Sequence, residues 1–565
     1  MVLASIKNTF EYIRKYKILL ILIIPAWALT LIPFIFDGQT GCTHNECGML
    51  VGTNYRDGLW FLAVAATAFK TFPFQMPVFS GATLQGYHYI PNLLAYLFTY
   101  IGIPITFTYY KLIPIFYISS LSILSIILAR KIKDTILFVF LFLFFTFFGM
   151  HLSLFTSLYH TGKIQNTVLI NTFQSTRILE SPHAALALLM LYGSLIMLYT
   201  FKNFTKKHLI ILGSILFVAF GTKFYVAVTI LMILGLNELF LFLQKKDWRR
   251  LLINSLIFLS STALAVLVFY NPFNATKSGS IFVYSPFATV HHLIETPTLF
   301  YMPNMVLARY YLYEHGWSPR LFGIELLSTF LFVLFYFGTR IIGFLEIIKQ
   351  VFMRNLDRLS LVMTIVVILL IAAAVLFIQK GDWYNPIQFG VPAAFIMNIF
   401  ISKLLFDLFS KNKLIGGSII AIIMLITFPA NLVNANYLKN PARLVIPQKE
   451  MEALEFLRDQ PSGSIFVPIE ENEEADTAYV SAFTGKPSYV NFTNVLENAD
   501  ISYKERFNQV RDLSKLEPTN ISANYFYISL NREHHKELYN RIKNDTHLHK
   551  VFNNKTVVIF QKKKN

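Results

Sequence analysis

Ionisable side chains are scarce in this sequence, and those that interrupt its apolar stretches are the first candidates for chemistry. Asp57, His88, Glu180, His183, Lys223, Arg309, Arg320, Glu325, Lys380 and Asp382 fall at or near the ends of apolar runs. A charge held close to hydrocarbon is costly, so each is a candidate for function. The set mixes acids with bases. A carboxylate such as Asp57 or Glu180 can take a proton from an attacking hydroxyl or amine. Lysine, arginine and histidine can stabilise a phosphate as it leaves. Together they suit a reaction between a lipid-borne phosphate and an acceptor arriving from the water.

Each residue also has a plainer role open to it. Asp57 can cap the helix that follows it. Glu180, before Ser181-Pro182-His183, can be a second acid or a charge on a helix N-terminus. Lys223 can hold a phosphate or snorkel to the interface. Arg309 and Arg320 flank the Tyr310-Tyr311-Leu312-Tyr313 belt and can bind phosphate or anchor the chain at the interface. Lys380 can bind phosphate or pair with Asp382. His88 can contact a sugar phosphate or pack in a polar turn. His291, His292 and Glu295 resemble metal ligands only loosely.

The elements that must carry these residues are membrane spans. Of 565 residues 55% are hydrophobic and 14% charged, against about 25% charged in a soluble chain. Long apolar runs recur between residues 18 and 434, many of a length to cross a core of roughly 30 Å as a helix. About eleven spans are expected, near 18–36, 112–129, 135–149, 183–201, 209–221, 225–243, 251–270, 321–344, 359–378, 387–405 and 414–433. The run at 18–36 continues past Ala26-Trp27-Ala28, which favours a retained anchor over a cleaved leader. The net charge of +17 gathers in every second connector, for example Arg130-Lys131 and Lys245-Lys246. That is the positive-inside pattern, not a nucleic-acid surface. It places the N-terminus in the cytoplasm of a plasma or inner-membrane protein, and an odd span count places the C-terminus outside. The expected fold is mainly α and polytopic, with a transmembrane domain over 1–434 and a small α/β domain over 435–565 outside.

Cys42 and Cys47 fall in the first outer loop, where a disulfide is permitted. A metal clip with His44, or free thiols, are the alternatives. Gly58 to Lys70 is too short to span and reads as an interfacial helix. Asn92 to Thr106, broken by Gly102 and Pro104, reads as a re-entrant or juxtamembrane segment.

The loop runs Tyr55-Arg56-Asp57-Gly58-Leu59-Trp60-Phe61, then Phe72-Pro73, Pro77, Phe79 and Gly81, then Tyr87-His88-Tyr89-Ile90-Pro91. Over residues 18–130 this resembles the GT-C superfamily of membrane glycosyltransferases, which includes protein mannosyltransferases and aminoarabinose transferases. The resemblance implies transfer, with inversion, of a sugar from a polyprenyl-phosphate donor to a glycan, lipid or protein acceptor on the outer face. Asp57 matches the family's catalytic acid and would act as general base. Two departures stand out. No Asp-x-Asp occurs in the outer loops, so no cofactor is expected, though some members hold a divalent metal there. Phe61 stands where some bacterial relatives have His. The rival classes are a flippase or transporter for a lipid-linked saccharide, expected to carry mid-span charges on broken helices, and a non-catalytic relative acting in envelope assembly.

Overall fold

The computed structural model describes residues 2–43, 46–163, 175–201, 204–270, 282–296, 301–379, 385–439, 443–469, 478–513 and 516–563. The described residues are mainly helical and carry nine strands. These are β1 (Gln39–Thr43), β2 (Glu46–Val51), β3 (Phe282–Tyr284), β4 (Phe377–Gln379), β5 (Leu444–Pro447), β6 (Ile465–Phe466), β7 (Tyr525–Ser529), β8 (Leu548–Asn553) and β9 (Val557–Lys562). The chain forms two compact units. One comprises Met1–Ile32, Ile115–Val266 and Ser280–Asn440; the other comprises Pro33–Pro114, Leu267–Gly279 and Pro441–Asn565. The units do not follow a single boundary at 434/435, because the first outer loop groups with the C-terminal segment.

Nine helices among the described residues are long and apolar enough to cross a membrane, or ten if one bent pair counts as a span. The expected count of eleven is not reproduced, for reasons of length. The run 135–149 forms only Ile136–Phe148, then bends by 53° into the helix beginning at Ser153. The run 209–221 forms Lys206–Phe220, 15 residues long. At 1.5 Å per residue these reach about 20 and about 23 Å, short of a hydrocarbon core. The segment after Asn92 is divided as its Gly and Pro suggest. Ile90–Thr99 is a short apolar helix, Gly102 has φ +80°, and a long span then runs over Ile105–Ile132.

The first unit is built around Gly390–Lys411, whose apolar window is 89% buried. Gly343–Phe352, Ile136–Phe148, Arg358–Leu376 and Lys413–Lys439 pack on it. A helix apolar on all sides must be enclosed in this way. Asn398 on this helix donates to Thr146 at 3.5 Å, and Thr146 pairs with the Tyr192 hydroxyl at 3.1 Å. The span Pro319–Phe352 is broken at Gly338, whose φ is +62°. A Cβ on Gly338 would lie 1.8 Å from the Met150 carbonyl, and Leu152 N–H donates to Phe335 O at 2.8 Å. The break in one helix therefore meets the bend after Phe148.

In the second unit β2 is the centre of the sheet β1-β2-β5. Cys42 and Cys47 face each other across β1 and β2 and are disulfide-bonded. Met49 and Leu50 pair with Ile446 and Val445 of the distant β5. A second sheet, ordered β6-β7-β9-β8, carries the helices Gln448–Asp459 and Glu533–Ile542. Pro447 ends β5 and holds the capping position of the first of these helices. Tyr55–Thr67 shares one hydrophobic core with both sheets. Its residues 58–65 are all buried, which corrects the interfacial expectation: this apolar stretch is enclosed by protein rather than lying on lipid. Its partners are Tyr479–Thr484, Ile90–Thr99 and the turn Ala68–Lys70.

The β2–β5 contact is testable at Gly48, where a Cβ would fall 1.8 Å from the Ile446 carbonyl. Gly48→Val is expected to cost about 3 kcal/mol of overpacking. It should expose the chain around Leu444–Pro447 to limited proteolysis under conditions that leave the wild type intact.

Candidate active site

After Val51 the chain must turn from strand into helix. Asn54 makes that turn in the left-handed region, with φ 55°, a conformation asparagine tolerates better than most residues. It holds the capping position, with no side-chain capping bond. Asp57 therefore does not cap the helix. It lies three residues further on, in the first turn, where a negative charge meets the positive end of the helix dipole. Asp57 is exposed, whereas Gly58, Leu59 and Trp60 beside it are buried. An exposed carboxylate thus stands at the start of a helix whose residues 58–65 are enclosed.

Aromatic side chains from the end of the loop surround this helix start. The Trp60 and Tyr87 rings meet edge to face at 5.5 Å, and Tyr87 stacks on His88 at 4.9 Å. Burial, and next the Asp57 carboxylate, push the Tyr87 phenol above its ordinary pKa, while hydrogen bonds from Trp60 and Asn92 act the other way. Asn92, fully buried, also donates to the Phe61 carbonyl at 3.0 Å and ties the following helix to this one. The Phe61 and Tyr109 rings pack at a tilt with centroids 4.7 Å apart, and Phe61 is 1% exposed. The position where some relatives carry His is here a core position. Asp57, Tyr87 and His88 are therefore one local cluster within the second unit.

Glu180, Lys223, Arg309 and Arg320 belong to the first unit. Glu180 accepts from the buried Arg177 at 2.7 Å. The following helix is capped by Ser181, whose hydroxyl accepts from the Ala184 amide. Lys223 precedes the helix Phe224–Lys245, lies 5.8 Å from the Tyr225 ring and is within electrostatic reach of His183. Arg309 is buried and paired with Glu295. Its Nη1 lies 3.5 Å from His291 Nδ1, and His291 Nε2 lies 2.7 Å from Glu325. Arg309 thus joins Glu295 to His291, which continues to Glu325. No group of three metal-ligating side chains forms among the described residues. Arg320 is exposed in the first turn of Pro319–Phe337. Lys380 and Asp382 lie outside the described residues.

Two residues had no functional reading in the sequence. Asp37 is buried, and its Oδ2 accepts from the Thr53 amide at 3.1 Å. In sequence Asp37-Gly38 reads as a turn after a span. Arg506 donates to the Ser80 carbonyl at 2.8 Å and to the Tyr489 carbonyl at 3.1 Å. It lies 4.2 Å from the Phe79 ring and 4.6 Å from the Tyr489 ring. Nothing in the sequence around Arg506 signals this role.

No family model matches the chain, and no curated protein matches it. Similar solved structures include two from Archaeoglobus fulgidus. One is its oligosaccharyltransferase in complex with zinc and sulfate, 12% identical, with a TM-score of 0.49, covering 90% of this chain and 68% of that one. The other is the archaeal oligosaccharyltransferase AglB in complex with an inhibitory peptide and a dolichol-phosphate, 10% identical, with a TM-score of 0.49, covering 92% and 70%.

Arg506 is the joint that fastens the Phe79-Ser80 part of the loop to the C-terminal segment. Arg506→Ala removes the charge-assisted bonds to the Ser80 and Tyr489 carbonyls and two ring contacts, and a loss of about 2 kcal/mol is expected. Thermal unfolding in detergent would show it, and Arg506→Lys should recover only part of the loss, because a lysine lacks the planar fork.

Proposed function

We propose that this chain is a membrane glycosyltransferase of the GT-C kind, taking a sugar from a polyprenyl-phosphate donor with Asp57 as general base. The observation that carries the reading is the placement of Asp57: an exposed carboxylate on the first turn of a buried helix, beside Tyr87 and the His88 ring stacked on it. In the proposed step the acceptor O–H or N–H gives its proton to an Asp57 oxygen. The acceptor atom bonds to the anomeric carbon from the face opposite the phosphate. The bond from carbon to phosphate oxygen breaks, and polyprenyl phosphate leaves as an anion. His88 would contact the sugar phosphate. Lys223, Arg320 and, less so, Arg309, which Glu295 already neutralises, are the first unit's candidates for holding a phosphate. Glu180, bound to Arg177, is a weaker second acid than its sequence position implies. We propose further that the step needs no resident metal. The acceptor would be reached on the outer face, with the N-terminus cytoplasmic and the segment after residue 435 outside.

A carrier is the second reading, and one observation speaks for it. Two helices are broken where they meet, at 149–152 and at Gly338, and the fully buried Arg340 lies beside that crossing. Arg340 falls inside the apolar run expected to span at 321–344. Broken helices around a buried charge are a feature of transporters.

The deciding experiment is sugar transfer by protein reconstituted in lipid with a panel of polyprenyl-phosphate sugars. Asp57→Asn is expected to lower turnover by about a hundredfold or more, with its melting temperature unchanged. Full turnover in that variant would remove Asp57 from the chemistry. Movement of the lipid-linked saccharide across the bilayer without its consumption would establish the carrier.

A further inference from the structure

Asp37 stands in the turn after the first span and is 2% exposed. Only one of its oxygens is engaged. Oδ2 accepts the Thr53 amide at 3.1 Å, while Oδ1 has no hydrogen-bond partner among the described residues. Oδ1 lies so close to Gly52 that a Cβ there would come within 1.7 Å of it. A buried carboxylate oxygen left in this state is costly and calls for a reason. The reason lies in what the carboxyl holds. Thr53 is followed by left-handed Asn54 and then by the helix that bears Asp57. Tyr109 lies within electrostatic reach of both carboxylates, and its hydroxyl is 3.0 Å from the Cβ position of Gly58, next to Asp57.

We infer that Asp37 is a positioning residue for Asp57: a buried clamp on Thr53 whose grip on the start of the Asp57 helix depends on its own charge. This rests on the reading of Asp57 as the base. The groups that face Asp37 are Arg443 ahead of β5 and Tyr109, Tyr110 and Lys111 on the following span. Burial pushes the Asp37 carboxyl up to about 6, with Thr53, Arg443 and Lys111 pulling the other way. The folded value lies above the ordinary 3.8. The Thr53 bond itself favours the anion, but keeping that anion out of water does not, so opening that hydrates Asp37 is hardest below about pH 3.8 and becomes easier as the pH rises through about 6. At neutral pH the carboxylate is charged, and the helix start is released more often than in acid.

Hydrogen exchange of the amides over Thr53–Asp57 in the full chain reads this grip directly and needs no sugar donor. After correction for intrinsic chemistry, exchange in the wild type is expected to speed up by about tenfold between pH 4 and pH 7. Asp37→Asn keeps an acceptor for Thr53 without the charge, so its exchange should be slow and independent of pH. Peptides of β7 and β9 serve as the control and should not change. Wild-type exchange that ignores pH, or a pH dependence that survives in Asp37→Asn, overturns the inference. Should Asp37→Asn not fold, Arg443→Gln decides: losing a neighbouring cation must move the midpoint upward, and an unmoved midpoint overturns the clamp. Failure of Asp57 as base would appear only in the transfer assay, so the two ideas fail separately.

Discussion

The second unit depends on the burial of one helix. Tyr55–Thr67 is apolar around its whole circumference from Gly58 to Ala65, so no single face can be left to water. One neighbouring element cannot enclose it. The chain encloses it with segments far apart in sequence: Ile90–Thr99 from the same loop, and Tyr479–Thr484 from near the C-terminal end. Backbone bonds fasten this arrangement. Ser80 donates to Ser488, Ser488 to Pro77 and Asn491 to Val78, so residues 77–80 run beside 488–491 almost as a strand pair. The Ser481 hydroxyl adds a bond to the Pro77 carbonyl at 2.9 Å, and Lys70 reaches the Gly485 carbonyl at 2.7 Å. Closing so long a loop carries an entropic cost that grows only slowly with length, and the buried apolar area of this core offsets it.

That burial also decides what is exposed. Within the first two turns only Asp57 is fully exposed. The rest of the cluster is aromatic and largely withdrawn, and its polar atoms are bound: Tyr87 by Trp60 and Asn92, and Asn92 again by the Phe61 carbonyl. A carboxylate set on such a rim keeps access to water while its backbone has almost no freedom. Preorganisation of this kind is what a proton-accepting group needs to act in one geometry. The Glu450 network shows the opposite use of a carboxylate. Glu450 is buried and takes bonds from the Tyr527 and Ser529 hydroxyls, with Arg532 nearby, which spends its charge on holding the second sheet to the helix Gln448–Asp459.

The sequence made the membrane class legible because a span is a local property of some twenty residues. The position of Asp57 near a helix start was legible for the same reason, from Asp-Gly before an apolar run. What that helix packs against was not. An apolar stretch of thirteen residues looks the same whether lipid or protein covers it, and only pairings across hundreds of residues, such as Met49 with Ile446, settle the matter. Span counting failed where helices are short. Phe148 and Phe220 end their helices early, and hydropathy alone registers the run without the bend. The partnerships of the charged residues were not legible either, since Arg309 with Glu295 and Glu180 with Arg177 are set by helix geometry.

Phe61 sharpens the chemistry required of Asp57. One turn after a first-turn acid, an imidazole could accept the proton that the acid collects. Here that position is a phenyl ring packed against Tyr109 and closed to solvent. On the proposed reading Asp57 must therefore hand its proton to water, which its exposure permits, or to His88 beyond Tyr87. Both routes run along the outer edge of the cluster. The surroundings of Asp57 then bear on that transfer. Those surroundings are the helix dipole, the Tyr87 phenol and the backbone that Asp37 holds at Thr53, and two of the three are fixed by where the helix begins. A change at Thr53 or Asn54 should thus reach the chemistry without touching a reacting atom.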